Sequence, residues 1–92
     1  MSNLKTILIT GANRGIGLEL VKESLAKKFS VIGTFRNREN SQALFKLSSN
    51  DMKLFEMDVV DEKSILDVSK NIHNPIDYLI CNAGINNGYG SI

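Results

Sequence analysis

The stretch that decides the fold runs Ile7-Leu8-Ile9-Thr10-Gly11-Ala12-Asn13-Arg14-Gly15-Ile16-Gly17. It joins an apolar run to a glycine-rich turn, and the turn leads into a segment of helical periodicity that begins at Ile16. A strand, a glycine turn and a helix in that order form an anion-binding device. The start of a helix presents backbone N–H groups without intrahelical partners, together with the positive end of the helix dipole. Side chains in the turn would keep a pyrophosphate away from those groups, and Gly11, Gly15 and Gly17 have none. The expectation is a loop that holds the pyrophosphate of a dinucleotide.

Outward from this loop, the apolar pattern alternates between strand and helix. Lys5–Thr10 reads as a strand, and its consecutive apolar residues fit burial on both faces, as in a parallel sheet. Gly15–Phe29 reads as a helix with Ile16, Leu20, Val21, Leu25 and Phe29 on its inner stripe, and Glu19, Lys22, Glu23 and Lys27 outside. Val31–Phe35 is a second strand, followed by a polar turn over Asn37–Asn40. Ser41–Ser48 is a short helix with Ala43, Leu44 and Leu47 inward. Lys53–Met57 is a third strand. Asp61 caps a helix that runs to about Ile72, with Ile65, Val68 and Ile72 inward, and Pro75 closes that segment. Ile76–Cys81 is a fourth strand. Strands alternating with amphipathic helices specify an α/β fold, a parallel sheet with helices on its faces.

Composition narrows the function. The chain has 92 residues, enough for one small domain. A formal net charge of +1 gives no bulk attraction to nucleic acid or to an anionic membrane. No apolar run approaches the ~20 residues of a membrane span. One cysteine, Cys81, excludes an internal disulfide framework and a cysteine zinc site. A reducing, cytoplasmic setting is expected. His73, the single histidine, reads as an exposed helix-end residue.

The glycine spacing is Gly11-x-x-x-Gly15-x-Gly17, which differs from the common Gly-x-Gly-x-x-Gly fingerprint. An ATP-binding P-loop would need Lys followed by Ser or Thr after the last glycine, and Leu18-Glu19 stand there instead. In NAD-binding sheets an acidic residue near the end of the second strand accepts hydrogen bonds from the ribose 2′-hydroxyl. Here that place holds Arg36, and Arg14 lies in the glycine loop. Two guanidinium groups suit a 2′-phosphate. Hydrogen bonds to charged groups are worth roughly 1.5–3 kcal/mol, so one such contact favours NADP over NAD by roughly ten- to a hundredfold.

These features resemble the N-terminal part of a short-chain dehydrogenase/reductase. The family's Thr-Gly-x-x-x-Gly-x-Gly motif matches Thr10, Gly11, Gly15 and Gly17. An acidic residue after the third strand matches Asp58, within Met57-Asp58-Val59. The family's Asn-Asn-Ala-Gly motif matches at Asn82, Ala83 and Gly84, with Cys81 in place of its first asparagine. The run from Gly11 to Val21 is similar to C-factor and sniffer-type carbonyl reductases. The resemblance implies a Rossmann-type doubly wound sheet in the order 3-2-1-4. It also implies a nicotinamide cofactor, NADP(H), touched by Gly11, Asn13, Arg14, Gly15, Ile16, Gly17, Arg36, Asp58, Val59, Asn82, Ala83 and Gly84. The substrate it implies for a complete enzyme is a small carbonyl or alcohol.

The family's chemistry also uses a Ser and a Tyr-x-x-x-Lys pair. Here Tyr78 is followed four residues later by Asn82, and four residues past Tyr89 lies beyond Ile92. No residue of this sequence inherits the catalytic role, and Tyr78 is expected to pack on the sheet. The expectation is therefore residues 1–92 as the dinucleotide-binding half of a Rossmann domain, cut after the fourth strand. That strand would leave an apolar edge open to pairing or to a second copy of the chain. The alternative is a non-catalytic nucleotide-binding module or an inactive truncated product.

Overall fold

Among the described residues, four parallel strands form one sheet in the order β3-β2-β1-β4. The computed structural model describes residues 4–13, 15–47, 50–73 and 75–82. The strands are β1 (Thr6–Thr10), β2 (Ser30–Phe35), β3 (Met52–Glu56) and β4 (Tyr78–Cys81). The helices are α1 (Gly15–Ala26), α2 (Gln42–Phe45) and α3 (Glu62–Lys70), with a 3-10 turn over Arg38–Asn40. β1 is central: Ile7 lies beside Val31 of β2 on one side and Tyr78 of β4 on the other. The strand order 3-2-1-4 is the one the resemblance implies, and the alternation of strands with helices is that read from the apolar pattern.

Alternation along the strands divides the apolar residues between two faces. Ile7, Ile9, Val31 and Phe35 share one face, and Val21 of α1 and Leu44 of α2 join them in the buried core. Leu18, Leu25, Phe29 and Phe45 close its margin. Ile9, Val21 and Leu44 are fully buried. Burying a Val, Leu or Ile side chain contributes about 1.5–3 kcal/mol, so this cluster is the main source of stability.

α1 turns inward most of the face its periodicity suggests: Val21 is buried, and Leu20, Leu25 and Phe29 pack against the core, but Ile16 does not. Its buried residues are Gly17, Val21 and Ser24, and Ile16 is 71% exposed. The first turn must lie close over the glycine loop, so the smallest residue faces inward and Ile16 is rotated away. The helix also ends at Ala26 and does not reach Phe29. The Phe29 N–H donates to the Ser24 carbonyl at 2.9 Å, and Lys28 adopts φ 69°. This is a Schellman-type stop, with a lysine where glycine is usual. Phe29 then leaves the helix and stacks on Tyr78, with ring centroids 5.8 Å apart and planes 7° from parallel. Tyr78 does pack, as expected, but on this ring and with about half of its surface exposed.

The other boundaries shift for local reasons. α2 is one turn long, with Leu44 buried and Ala43 exposed. The preceding residues are held in the 3-10 turn by Asn37, whose Oδ1 accepts the Glu39 N–H at 2.8 Å. Ser48 lies outside the described residues. β1 begins one residue later than expected and β2 one residue earlier. β3 is moved one residue towards the N-terminus, because Val31 pairs with Met52. β4 starts at Tyr78, not Ile76. Before it, Asp77 uses its carboxylate to accept the Thr6 N–H at 2.8 Å and its own N–H to reach the Thr6 carbonyl at 2.9 Å.

α3 begins as the sequence indicates: the Asp61 side chain accepts the Lys63 N–H at 3.1 Å. It stops at Lys70, two residues short of Ile72. Of its expected inner residues, Val68 is buried and Ile65 is 39% exposed, while neighbouring Leu66 is 53% exposed. His73 is exposed, as expected.

Candidate cofactor site

All four strands run in one direction, so the segments that follow them gather at one edge of the sheet. The order reverses between β2 and β4, on either side of β1, which places a crevice at the end of β1. The glycine loop occupies that position. Gly11 and Gly15 have φ values of 64° and 60°, in the left-handed region that glycine enters without a Cβ penalty. A Cβ added at Gly15 would meet no other atom within 4 Å. The loop is therefore open at the N-terminus of α1, and this fits a bound pyrophosphate.

Gly17 answers to packing. A Cβ there would collide with the Gly11 carbonyl oxygen and lie 2.7 Å from Nδ2 of Asn82. Asn82 is buried just past β4, and it binds the loop twice. Its backbone N–H donates to Thr10 Oγ1 at 3.0 Å, and its Nδ2 donates to the Gly11 carbonyl at 3.1 Å. The end of β4 thus fixes the loop in place. This role of Asn82 depends on residues about 70 positions apart, and no local signal in the sequence discloses it.

On its other side the loop is tied to β2. The Ala12 N–H donates to the Thr34 carbonyl at 2.8 Å, and Asn13 Nδ2 donates to the Asn40 carbonyl at 3.1 Å. Arg36 follows β2 directly and is exposed, and among the described residues its side chain makes no hydrogen bond or ion pair. Two residues on, the Arg38 guanidinium lies over the Phe45 ring at 4.8 Å from its centroid and 6.0 Å from that of Phe35.

The third strand contributes Asp58 to the same edge. The Met57 N–H donates to the Phe35 carbonyl at 2.8 Å, which carries the chain from β3 back alongside the end of β2. The Asp58 N–H donates to Ser64 Oγ at 3.0 Å, and Asp58 Oδ1 accepts the Val60 N–H at 3.1 Å. Asp58 and Val59 are half-buried. The carboxylate is thereby oriented while retaining acceptor capacity. Cys81 pairs with Thr10 in the ladder and is a free, exposed thiol. Arg14, Ala83 and Gly84 lie outside the described residues. Among the described residues there is no group of His, Cys, Asp or Glu suited to a metal ion, and no helix long and apolar enough to cross a membrane.

The family model for short chain dehydrogenases matches residues 5–91. The chain belongs to this family. It is similar to the 3-oxoacyl-(acyl-carrier-protein) reductase of Haemophilus influenzae, with 36% identity over 84 residues that cover 88% of this chain and 35% of the relative. Among solved structures it is similar to ElxO with NADPH bound, at 31% identity and a TM-score of 0.75, covering 89% of this chain and 36% of that one. A 4-hydroxyisoleucine dehydrogenase complexed with NADH matches at 30% identity and a TM-score of 0.63, over 73% of this chain and 27% of that one. A chain assigned as the carbonyl reductase Sniffer of Caenorhabditis elegans matches at 27% and 0.72, over 86% of this chain and 37% of that one. This short-chain dehydrogenase chain thus spans about a third of the length of the proteins it matches. The family binds a nicotinamide cofactor, and its structural neighbours include one with NADPH and one with NADH.

Proposed function

We propose that this chain is the NADP(H)-holding portion of a short-chain oxidoreductase that transfers hydride between the cofactor and a small carbonyl or alcohol. The observation that carries the reading is the Thr10–Gly17 loop, open at the start of α1 and clasped between β2 and β4. In this reading Gly11, Gly15, Ile16 and Gly17 line the pyrophosphate, and Asn13 and Arg14 extend the loop towards the adenosine. Arg36 takes the 2′-phosphate, Asp58 and Val59 border the adenine, and Asn82, Ala83 and Gly84 form the wall at β4. NADPH supplies the hydride when bound.

The preference for NADP rests on Arg36. An exposed guanidinium, without an acceptor among the described residues, follows β2, where an NAD-binding site would have a carboxylate. The proposed share of these residues is binding and orientation, because Tyr78 is followed at the fourth place by Asn82 and not by lysine.

Calorimetric titration of the purified protein with NADPH and NADH tests the reading. NADPH should bind roughly ten- to a hundredfold more tightly, and Arg36→Ala should remove most of that difference. Equal affinities, or tighter NADH binding, would overturn the NADP assignment. Failure of either cofactor to bind would overturn the function.

A further inference from the structure

We propose that Arg38 is a second guanidinium for the 2′-phosphate, held ready by an aromatic platform. The proposal rests on the NADP(H) reading above and assigns a residue that the family motifs leave without a role. Three observations converge on Arg38.

The first is its seat. One face of the guanidinium is taken by the Phe45 ring at 4.8 Å, with the Phe35 ring at 6.0 Å. The two rings brace each other edge to face, with centroids 5.2 Å apart. Phe35 is buried at the end of β2, so the platform is anchored in the core. A stacked guanidinium keeps its N–H groups in the ring-parallel plane, where they can still donate. Among the described residues those groups meet no carboxylate.

The second is the rigidity of the turn that carries Arg38. The Asn37 side chain holds the Glu39 N–H at 2.8 Å, and Ser41 Oγ donates to the Asn37 carbonyl at 2.6 Å. Holding Arg38 in place therefore costs little at the moment of binding, because the turn and the stack have already reduced its freedom.

The third is location. Asn40, two residues past Arg38, is bonded by Asn13 of the glycine loop at 3.1 Å. The turn therefore lies directly against the loop proposed to carry the pyrophosphate. Arg36 and Arg38 bracket Asn37 on that turn, and a dianionic phosphate can accept from both guanidinium groups. The proposal is specific to a 2′-phosphorylated ribose, since an unmodified ribose offers these groups no anion.

The experiment titrates the protein with 2′,5′-ADP and with 5′-AMP, which differ only in the phosphate at the 2′ position. Arg38→Met keeps an apolar stem on Phe45 and removes the charge. It should weaken 2′,5′-ADP about tenfold and change 5′-AMP less than twofold. Arg38→Lys keeps the charge without the planar fork and should fall between wild type and Arg38→Met, also for 2′,5′-ADP alone; it serves if the Met variant does not fold. Equal losses for both ligands would show a packing role only and overturn the proposal, as would no loss for either. A wild-type protein that binds the two ligands equally would overturn the NADP reading together with this one. Preference for 2′,5′-ADP that is abolished by Arg36→Met and untouched by Arg38→Met would overturn this proposal and leave the NADP reading standing.

Discussion

The two faces of the sheet are built to different standards. On the α1 and α2 face, Ile7, Ile9, Val21, Val31, Phe35 and Leu44 interlock with little or no exposure. On the α3 face, Val68 and Ile32 are buried, but Ile65, Leu66 and Leu79 are 39%, 53% and 58% exposed. The amphipathic pattern is clearer in α3 than in α1, so the pattern does not account for the difference. The difference comes from partners: α1 crosses β1 and β2, each paired on both sides, whereas among the described residues β4 is paired on one side only. Apolar side chains that stay exposed contribute correspondingly little. The loop proposed to hold the cofactor grows from the well-filled region and is latched to the poorly filled one through Asn82.

This contrast can be broken most directly in the core. Ile9→Ala should destabilise the protein by about 2–5 kcal/mol, measured by urea unfolding, since the residue is fully buried. A loss below about 1 kcal/mol would mean that the filled face is not what holds the fold. Next in size is Gly17→Ala. The added methyl has no room between the Gly11 carbonyl and Asn82, so α1 must move at a cost of about 1–3 kcal/mol. Cofactor affinity should fall with it. Unchanged melting and binding would show that the helix does not rest on the loop.

Asn82→Ala tests the latch between the two regions. It deletes the donor to the Gly11 carbonyl, and leaving that group short of a partner costs about 1–3 kcal/mol. Faster amide exchange in residues 10–13 is the expected signature, and protection at the wild-type level would refute the latch. A smaller gain is expected at the end of α1. Lys28→Gly relieves the left-handed conformation and should stabilise by about 0.5–1 kcal/mol, read from the urea midpoint. Smallest of all is Leu79→Ser on β4. Because the side chain is 58% exposed, stability should change by less than about 0.5 kcal/mol, read from the urea midpoint. A large loss of stability there would make the two faces equal after all.

Much of the candidate site is legible in the sequence, because its signals are local. Gly11 and Gly15 stand where the backbone must take positive φ, and Asp61 stands where a helix needs a cap. Arg36 stands where the second strand ends. Periodicity misplaces Ile16 because it describes an isolated cylinder, and the contact of Gly17 with the loop sets the rotation of α1. It also carries the helix on to Phe29, three residues past its end, because the pattern does not reveal that Lys28 reverses the chain.

The sequence by itself determined the alternation of strands and helices, the phosphate-type loop and the family, since each follows from residue spacing within short segments. Only the tertiary structure decided how the loop is held. The bonds from Asn82 to Thr10 and Gly11, and from Asn13 to Asn40, join segments far apart along the chain. The structure alone also placed Arg38 on its two phenylalanine rings and divided the sheet into a filled and an open face. Such contacts depend on which elements become neighbours, and a periodic pattern specifies an element's faces without naming what will cover them.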